Sequence, residues 1–275
     1  MQPSIEQARW LLKMLQPEMT LGSLPGTAAL SEAVRAALIG LPADVYAAEH
    51  ARMLEATKEA ARELVSEHGV AAMIDRLPLK TGARIVAFGD SLTSDPQSWA
   101  VILNELLSAR GVSVAIDAAP GDTTTHGLIR IGQVVVQQPD WILFFIGTND
   151  ARTQGPKPSK TLVHHQETVR NLRELSDRIA RETKARCLWI TPPAVNEERV
   201  SNHWGLSRFG VRFRNEDVAR VAAALRDIGA PTIDLFSILG TPPAPELFMD
   251  DGLHLTLAGQ KRLALEILRG WSRLA

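Results

Sequence analysis

Apolar positions fall into two regimes along the chain, and the change comes near Ala83. Before it, Tyr46, Met53, Leu54, Thr57, Ala61, Leu64 and Val65 recur at the spacing of one face of a helix. Pro17, Leu24-Pro25-Gly26 and Gly40-Leu41-Pro42 interrupt this segment, so residues 1–80 are expected to form an extension of about three helices, the last ending near Gly69 or Pro78.

From Ala83 onward, short β-branched apolar runs alternate with longer amphipathic stretches. The runs predict strands over Arg84 to Phe88, Val112 to Ile116, Trp141 to Ile146, Arg186 to Ile190 and Pro231 to Leu235. The stretches between them predict helices near 97–110, 124–138, 160–184 and 212–228, with a last one near 257–272. Parallel strands need crossover connections, usually helical, so the alternation predicts an α/β domain over 81–275 with a parallel sheet covered on both faces. Ligands of such sheets bind beyond the carboxyl ends of the strands.

Polar clusters lie where that rule points. Gly89-Asp90-Ser91-Leu92-Thr93 follows the first strand, Pro120-Gly121-Asp122-Thr123-Thr124 the second, and Gly147-Thr148-Asn149-Asp150 the third; Asp250-Asp251-Gly252-Leu253-His254 precedes the final helix. A serine hydroxyl is a poor nucleophile until a base removes its proton, and neutral histidine suits that task near pH 7. Ser91 and His254 are therefore the candidate nucleophile and base. Asp251 can fix the imidazole tautomer and stabilise the imidazolium. The backbone N–H groups of Ser91 and Gly121 and the side-chain amide of Asn149 are candidate donors to an oxyanion. A histidine base predicts activity that falls as pH drops through about 6 to 7, a range moved upward where Asp251 stabilises the imidazolium.

Composition narrows the choice of function. The 275 residues carry 30 basic and 31 acidic side chains, a formal charge of −1, with no basic stripe, which argues against a nucleic-acid partner. No apolar run is long enough to span a membrane and no signal-like leader is present, so a cytoplasmic protein is expected. The single cysteine, Cys187, sits in an apolar run and is expected to be a core thiol. His126, His164, His165 and His203 lack partners at ligand spacing, so no metal is expected, and no organic cofactor is needed.

The blocks Phe88-Gly89-Asp90-Ser91-Leu92-Thr93, Gly121-Asp122-Thr123-Thr124, Gly147-Thr148-Asn149-Asp150 and Asp251-Gly252-Leu253-His254 resemble, in order, the four signature blocks of the SGNH (GDSL-like) hydrolase superfamily. The resemblance covers about residues 83–272. It implies a flavodoxin-like three-layer αβα sandwich with a five-stranded parallel sheet, an ester substrate, and roles for Ser91, Gly121, Asn149 and His254, with Asp251 as the partner of the histidine. The second block departs from the family pattern: Ile116-Asp117-Ala118-Ala119-Pro120 stands where Asn-Ala-Gly is usual. Gly-x-Ser-x-Gly, the nucleophile elbow of the α/β-hydrolases, is absent because Thr93 occupies the second position after Ser91.

Several alternatives are open at this level. The acyl acceptor can be water or another alcohol, a thioester can replace the ester, and a binding module without chemistry is a more distant reading. Pro192 to Phe213 is expected beside the site as lid, pocket wall or surface loop. Leu247, Phe248 and Met249 are candidates for either acyl pocket or core. The N-terminal helices are expected to pack on the catalytic domain or to mediate self-association into a homo-oligomer, in preference to taking a direct part in substrate binding.

Overall fold

The computed structural model describes residues 3–20 and 30–274. Five parallel strands, β1 (Arg84–Gly89), β2 (Ser113–Ala118), β3 (Trp141–Phe145), β4 (Arg186–Ile190) and β5 (Thr232–Ile233), form one sheet in the order β2-β1-β3-β4-β5. Alternation along the strands divides the interior in two. Ile85, Ala87, Leu143, Phe145, Leu188 and Ile190 enter one core, while Val86, Phe88, Ile142, Phe144 and Trp189 enter the other. Both faces are therefore covered, as a parallel sheet requires.

In chain order, the helices before β1 are α1 (Ile5–Met14), α2 (Pro17–Thr20), α3 (Glu32–Leu38), α4 (Ala43–Ser66) and α5 (Val70–Asp75). The expected three helices are thus five among the described residues. Gly69, at φ 82°, separates α4 from α5 in a left-handed conformation. The break foreseen at Leu24-Pro25-Gly26 lies outside the described residues. Tyr46, Met53, Thr57, Ala61 and Leu64 are buried along α4, whereas Leu54 and Val65 face solvent.

The helices of the α/β domain are α6 (Ser91–Ser94), α7 (Trp99–Ser108), α8 (Thr124–Gln137), α9 (His165–Glu182), α10 (Glu197–Asn202), α11 (Trp204–Ser207), α12 (Asn215–Arg226), α13 (Leu235–Leu239) and α14 (Leu257–Trp271). Helices α7 and α14 pack into the first core, with α4 against them on the outside; α8, α9 and α12 pack into the second. Three boundaries differ from the sequence expectation for local reasons. Strand β5 stops at Ile233 because Asp234 caps α13, its carboxylate accepting from the Ser237 N–H. Helix α9 starts at His165 because Thr161 pairs with Thr153, and α12 starts late because Arg212 pairs with the same Thr153.

Strand β1 has β2 on one side and β3 on the other. The chain therefore reverses its direction of winding between β1 and β3, the point in such a sheet where loops diverge and leave a crevice. Ser91 follows β1 and Asn149 follows β3.

Candidate active site

Ser91 opens α6, a single turn whose N-cap is Asp90; the Asp90 carboxylate accepts from the Leu92 N–H at 3.0 Å. Gln260 of α14, fully buried, accepts from the Trp99 N–H at 2.9 Å and donates to the Leu92 carbonyl at 3.1 Å, which ties the serine turn to the start of α7. Burial pushes the Asp90 carboxyl up to about 7, despite the donors around it.

Asp251 and His254 share a tight turn before α14. One Asp251 oxygen, Oδ1, accepts from the backbone N–H groups of Leu253 and His254, both at 2.9 Å. The other, Oδ2, lies 2.6 Å from His254 Nδ1. Gly252 makes the turn possible: its φ is +71°, and a Cβ there would stand 2.6 Å from Cβ of Arg199 and 2.7 Å from the Asn196 carbonyl oxygen. Burial alone would raise the Asp251 carboxyl, but the adjacent imidazole and the two backbone donors outweigh it and hold the carboxyl well below the usual range. Asp250, the competing carboxylate, is exposed.

His254 Nε2 lies 3.0 Å from Ser91 Oγ. With Nδ1–H donating to Asp251, Nε2 is left to accept the serine hydroxyl, a tautomer assigned from these partners. Ser91, Asp251 and His254 are respectively 8%, 0% and 5% exposed, so the chain of hydrogen bonds is shielded from competing water.

The donors foreseen for an oxyanion line the same cavity, of about 210 Å³, with Ser91 and His254. Ala119-Pro120-Gly121-Asp122 forms a turn closed by the Asp122 N–H to the Ala119 carbonyl at 3.2 Å, with Gly121 at φ +83°. Proline second and a positive-φ glycine third is the pattern of a type II turn. The unusual approach to the second block thus has its own geometry. Asn149 donates to the Asp122 carbonyl at 3.0 Å and, through its second amide hydrogen, makes only a long, weak contact with Asp90 at 3.5 Å. Asp150, the next residue, accepts from the Thr124 N–H and the Thr168 hydroxyl at 2.9 Å each, which fixes the turn after β3.

The remaining walls are Met14, Leu15, Arg152, Leu206, Phe209, Val211 and Leu253, with Trp10. The segment after β4 therefore contributes a wall, folded into α10 and α11. Phe248 is buried in the first core and Leu247 packs against it, so neither reaches this cavity. His126, His164 and His203 each stand at a helix N-terminus and accept a backbone N–H there. Burial pushes the Cys187 thiol up to about 12, leaving it protonated and unreactive near neutrality.

One contact had no signal in the sequence. The indole Nε1–H of Trp10, on α1, donates to Asp251 Oδ2 at 2.8 Å across 241 positions of chain. No local pattern marks a tryptophan in an amphipathic helix as a neighbour of an aspartate so far away.

Residues 87–262 match the GDSL-like Lipase/Acylhydrolase family. A GDSL esterase/lipase of Arabidopsis thaliana is 24% identical over 200 residues, 68% of this chain and 63% of the relative, so the chain spans just under two thirds of that protein. A GDSL lipase of Mycobacterium tuberculosis is 28% identical over 201 residues, 66% of this chain and 79% of the relative. Among solved structures, a lipase/acylhydrolase from Enterococcus faecalis superposes with a TM-score of 0.56 at 25% identity, covering 70% of this chain and 96% of the other. No helix among the described residues is long and apolar enough to cross a membrane. With the family match covering well over half its length, the chain belongs to the GDSL-like lipase/acylhydrolase family.

Proposed function

We propose that the protein is a serine esterase that hydrolyses small carboxylic esters through an acyl-enzyme on Ser91. The observation that carries this reading is the unbroken Ser91–His254–Asp251 relay, at 3.0 and 2.6 Å, opening on the cavity that also holds Gly121 and Asn149. Ser91 Oγ attacks the ester carbonyl carbon as its proton passes to His254 Nε2. The resulting oxyanion is held by the N–H groups of Ser91 and Gly121, neither of which is bonded to another described residue, and by the Asn149 amide hydrogen that otherwise makes only a long 3.5 Å contact with Asp90. Collapse expels the alcohol, which leaves with the proton from His254. Water then attacks the acyl-serine, gives its proton to His254, and the acid departs as Ser91 recovers its hydrogen. No step calls for a metal or cofactor.

The cavity, about 210 Å³ and walled by Met14, Leu206, Phe209 and Val211, suits a short acyl group better than a long chain. Turnover of p-nitrophenyl acetate, butyrate and octanoate tests the reading. Acetate and butyrate are expected to exceed octanoate in kcat/KM, with Ser91→Ala and His254→Ala both inactive. Adding a competing alcohol shows whether water is the acceptor: ester exchange products in place of free acid would make the enzyme an acyltransferase on the same residues.

A further inference from the structure

Asp251 Oδ2 carries two donors, the His254 imidazole at 2.6 Å and the Trp10 indole at 2.8 Å. Trp10 lies on α1, far outside the residues that match the family. The indole is wedged against His203 and Trp204, with ring centroids 5.1 Å from each, and against Gly205, where any Cβ would stand 2.6 Å from the indole ring. Its position is thus set by packing on three sides before the hydrogen bond is counted.

One helical turn later, Lys13 projects from the same side of α1. Its ammonium is buried and pairs with the buried carboxylate of Asp95 at 2.9 Å, just beyond the turn that carries Ser91. Helix α1 therefore touches the nucleophile's turn through Lys13 and the Asp251–His254 turn through Trp10. Both turns come from the α/β domain, yet the element bridging them comes from the N-terminal extension.

We propose that α1 is an integral part of the catalytic site, with Trp10 as a positioning residue that orients Asp251 and, through it, the His254 imidazole. The inference rests on the hydrolytic reading given above. Two donors on one oxygen fix the plane of the carboxylate, and the carboxylate fixes the ring. The indole also draws charge from the oxygen that faces Nδ1.

Trp10→Phe in the full-length chain removes the N–H and keeps an aromatic ring in the wedge. Wild type and variant are compared in p-nitrophenyl acetate turnover from pH 5 to 9, with a melting curve to verify folding. The expected result is a kcat lowered about 10-fold with KM changed less than about 2-fold. A variant with wild-type kcat overturns the inference, as does one altered only in KM or melting temperature, which is what packing alone would give. Absence of turnover in the wild type would instead sink the hydrolytic reading. Should Trp10→Phe fail to fold, the Trp10 indole N–H resonance in the otherwise native chain serves: Asp251→Asn weakens the acceptor and is expected to move that resonance upfield. An unmoved resonance overturns the inference.

Discussion

Lys13→Met tests the docking of α1 at its most costly point. Lys13 and Asp95 are 4% and 1% exposed, and the ammonium sits 2.9 Å from the carboxylate while donating to Gln97 Oε1 at 3.3 Å. Methionine preserves most of the stem's volume and removes the charge. Among the described residues, Asp95 is left with the Gln97 N–H at 2.8 Å as its side chain's remaining donor and no opposing charge. Breaking a buried pair from one side typically costs about 3–5 kcal/mol, because the surviving ion stays desolvated. Undocking α1 to rehydrate Asp95 is no cheaper: it exposes buried Leu12 and Met14, at about 1.5–3 kcal/mol each, and releases Trp10 from Asp251. Urea unfolding at pH 7 should therefore show a loss of about 3–5 kcal/mol, and the Lys13→Met, Asp95→Asn double variant should recover more than half of it, since an amide tolerates burial better than an unpaired carboxylate. A loss below about 1 kcal/mol, or a double variant no more stable than Lys13→Met, would refute the claim that this pair anchors α1.

Two further outcomes follow from the site. Asn149→Ala should lower kcat by roughly 10² to 10³ with little change in KM, because the lost donor serves the oxyanion and not the ground-state ester; an unchanged kcat in steady-state assays would return Asn149 to a turn-fixing role. Asp90 contributes one part of the dependence of stability on pH. Its carboxyl is pushed up to about 7 by burial, so from about pH 4 to 7 the native state keeps a proton that the unfolded chain has lost, and stability falls as pH rises, by at most about 1.4 kcal/mol per pH unit. Asp90→Asn retains an oxygen for the Leu92 N–H and removes the ionisation, so its unfolding free energy should be flatter across that window; a slope equal to the wild type's would contradict the assignment.

Strands were legible because the sheet is buried on both faces. Arg186 to Ile190 is foreseen to the residue, since nothing at either end competes with the ladder. The edge strand β2 begins at Ser113 and continues to Ala118, past the apolar run, because its outer positions face solvent and obey no burial pattern. The candidate site residues were legible for a different reason: Ser91, Gly121 and Asn149 directly follow β1, β2 and β3, where sequence position and spatial position coincide, and His254 lies in the polar cluster just before α14. Asp251 was separable from Asp250 only by its spacing to His254. Trp10 and Lys13 were invisible because their partners, Asp251 and Asp95, lie in other elements, and nothing in a local window distinguishes a docking face from an ordinary amphipathic stripe.

The central claim is that Ser91 is an activated nucleophile. Intact-protein mass spectrometry after exposure to a fluorophosphonate, with Ser91→Ala treated alongside, measures that directly. One covalent adduct on the wild type, mapped by peptide sequencing to Ser91 and absent from the variant, is the predicted result; a folded wild-type protein that stays unlabelled, or an adduct that persists in Ser91→Ala, would contradict it.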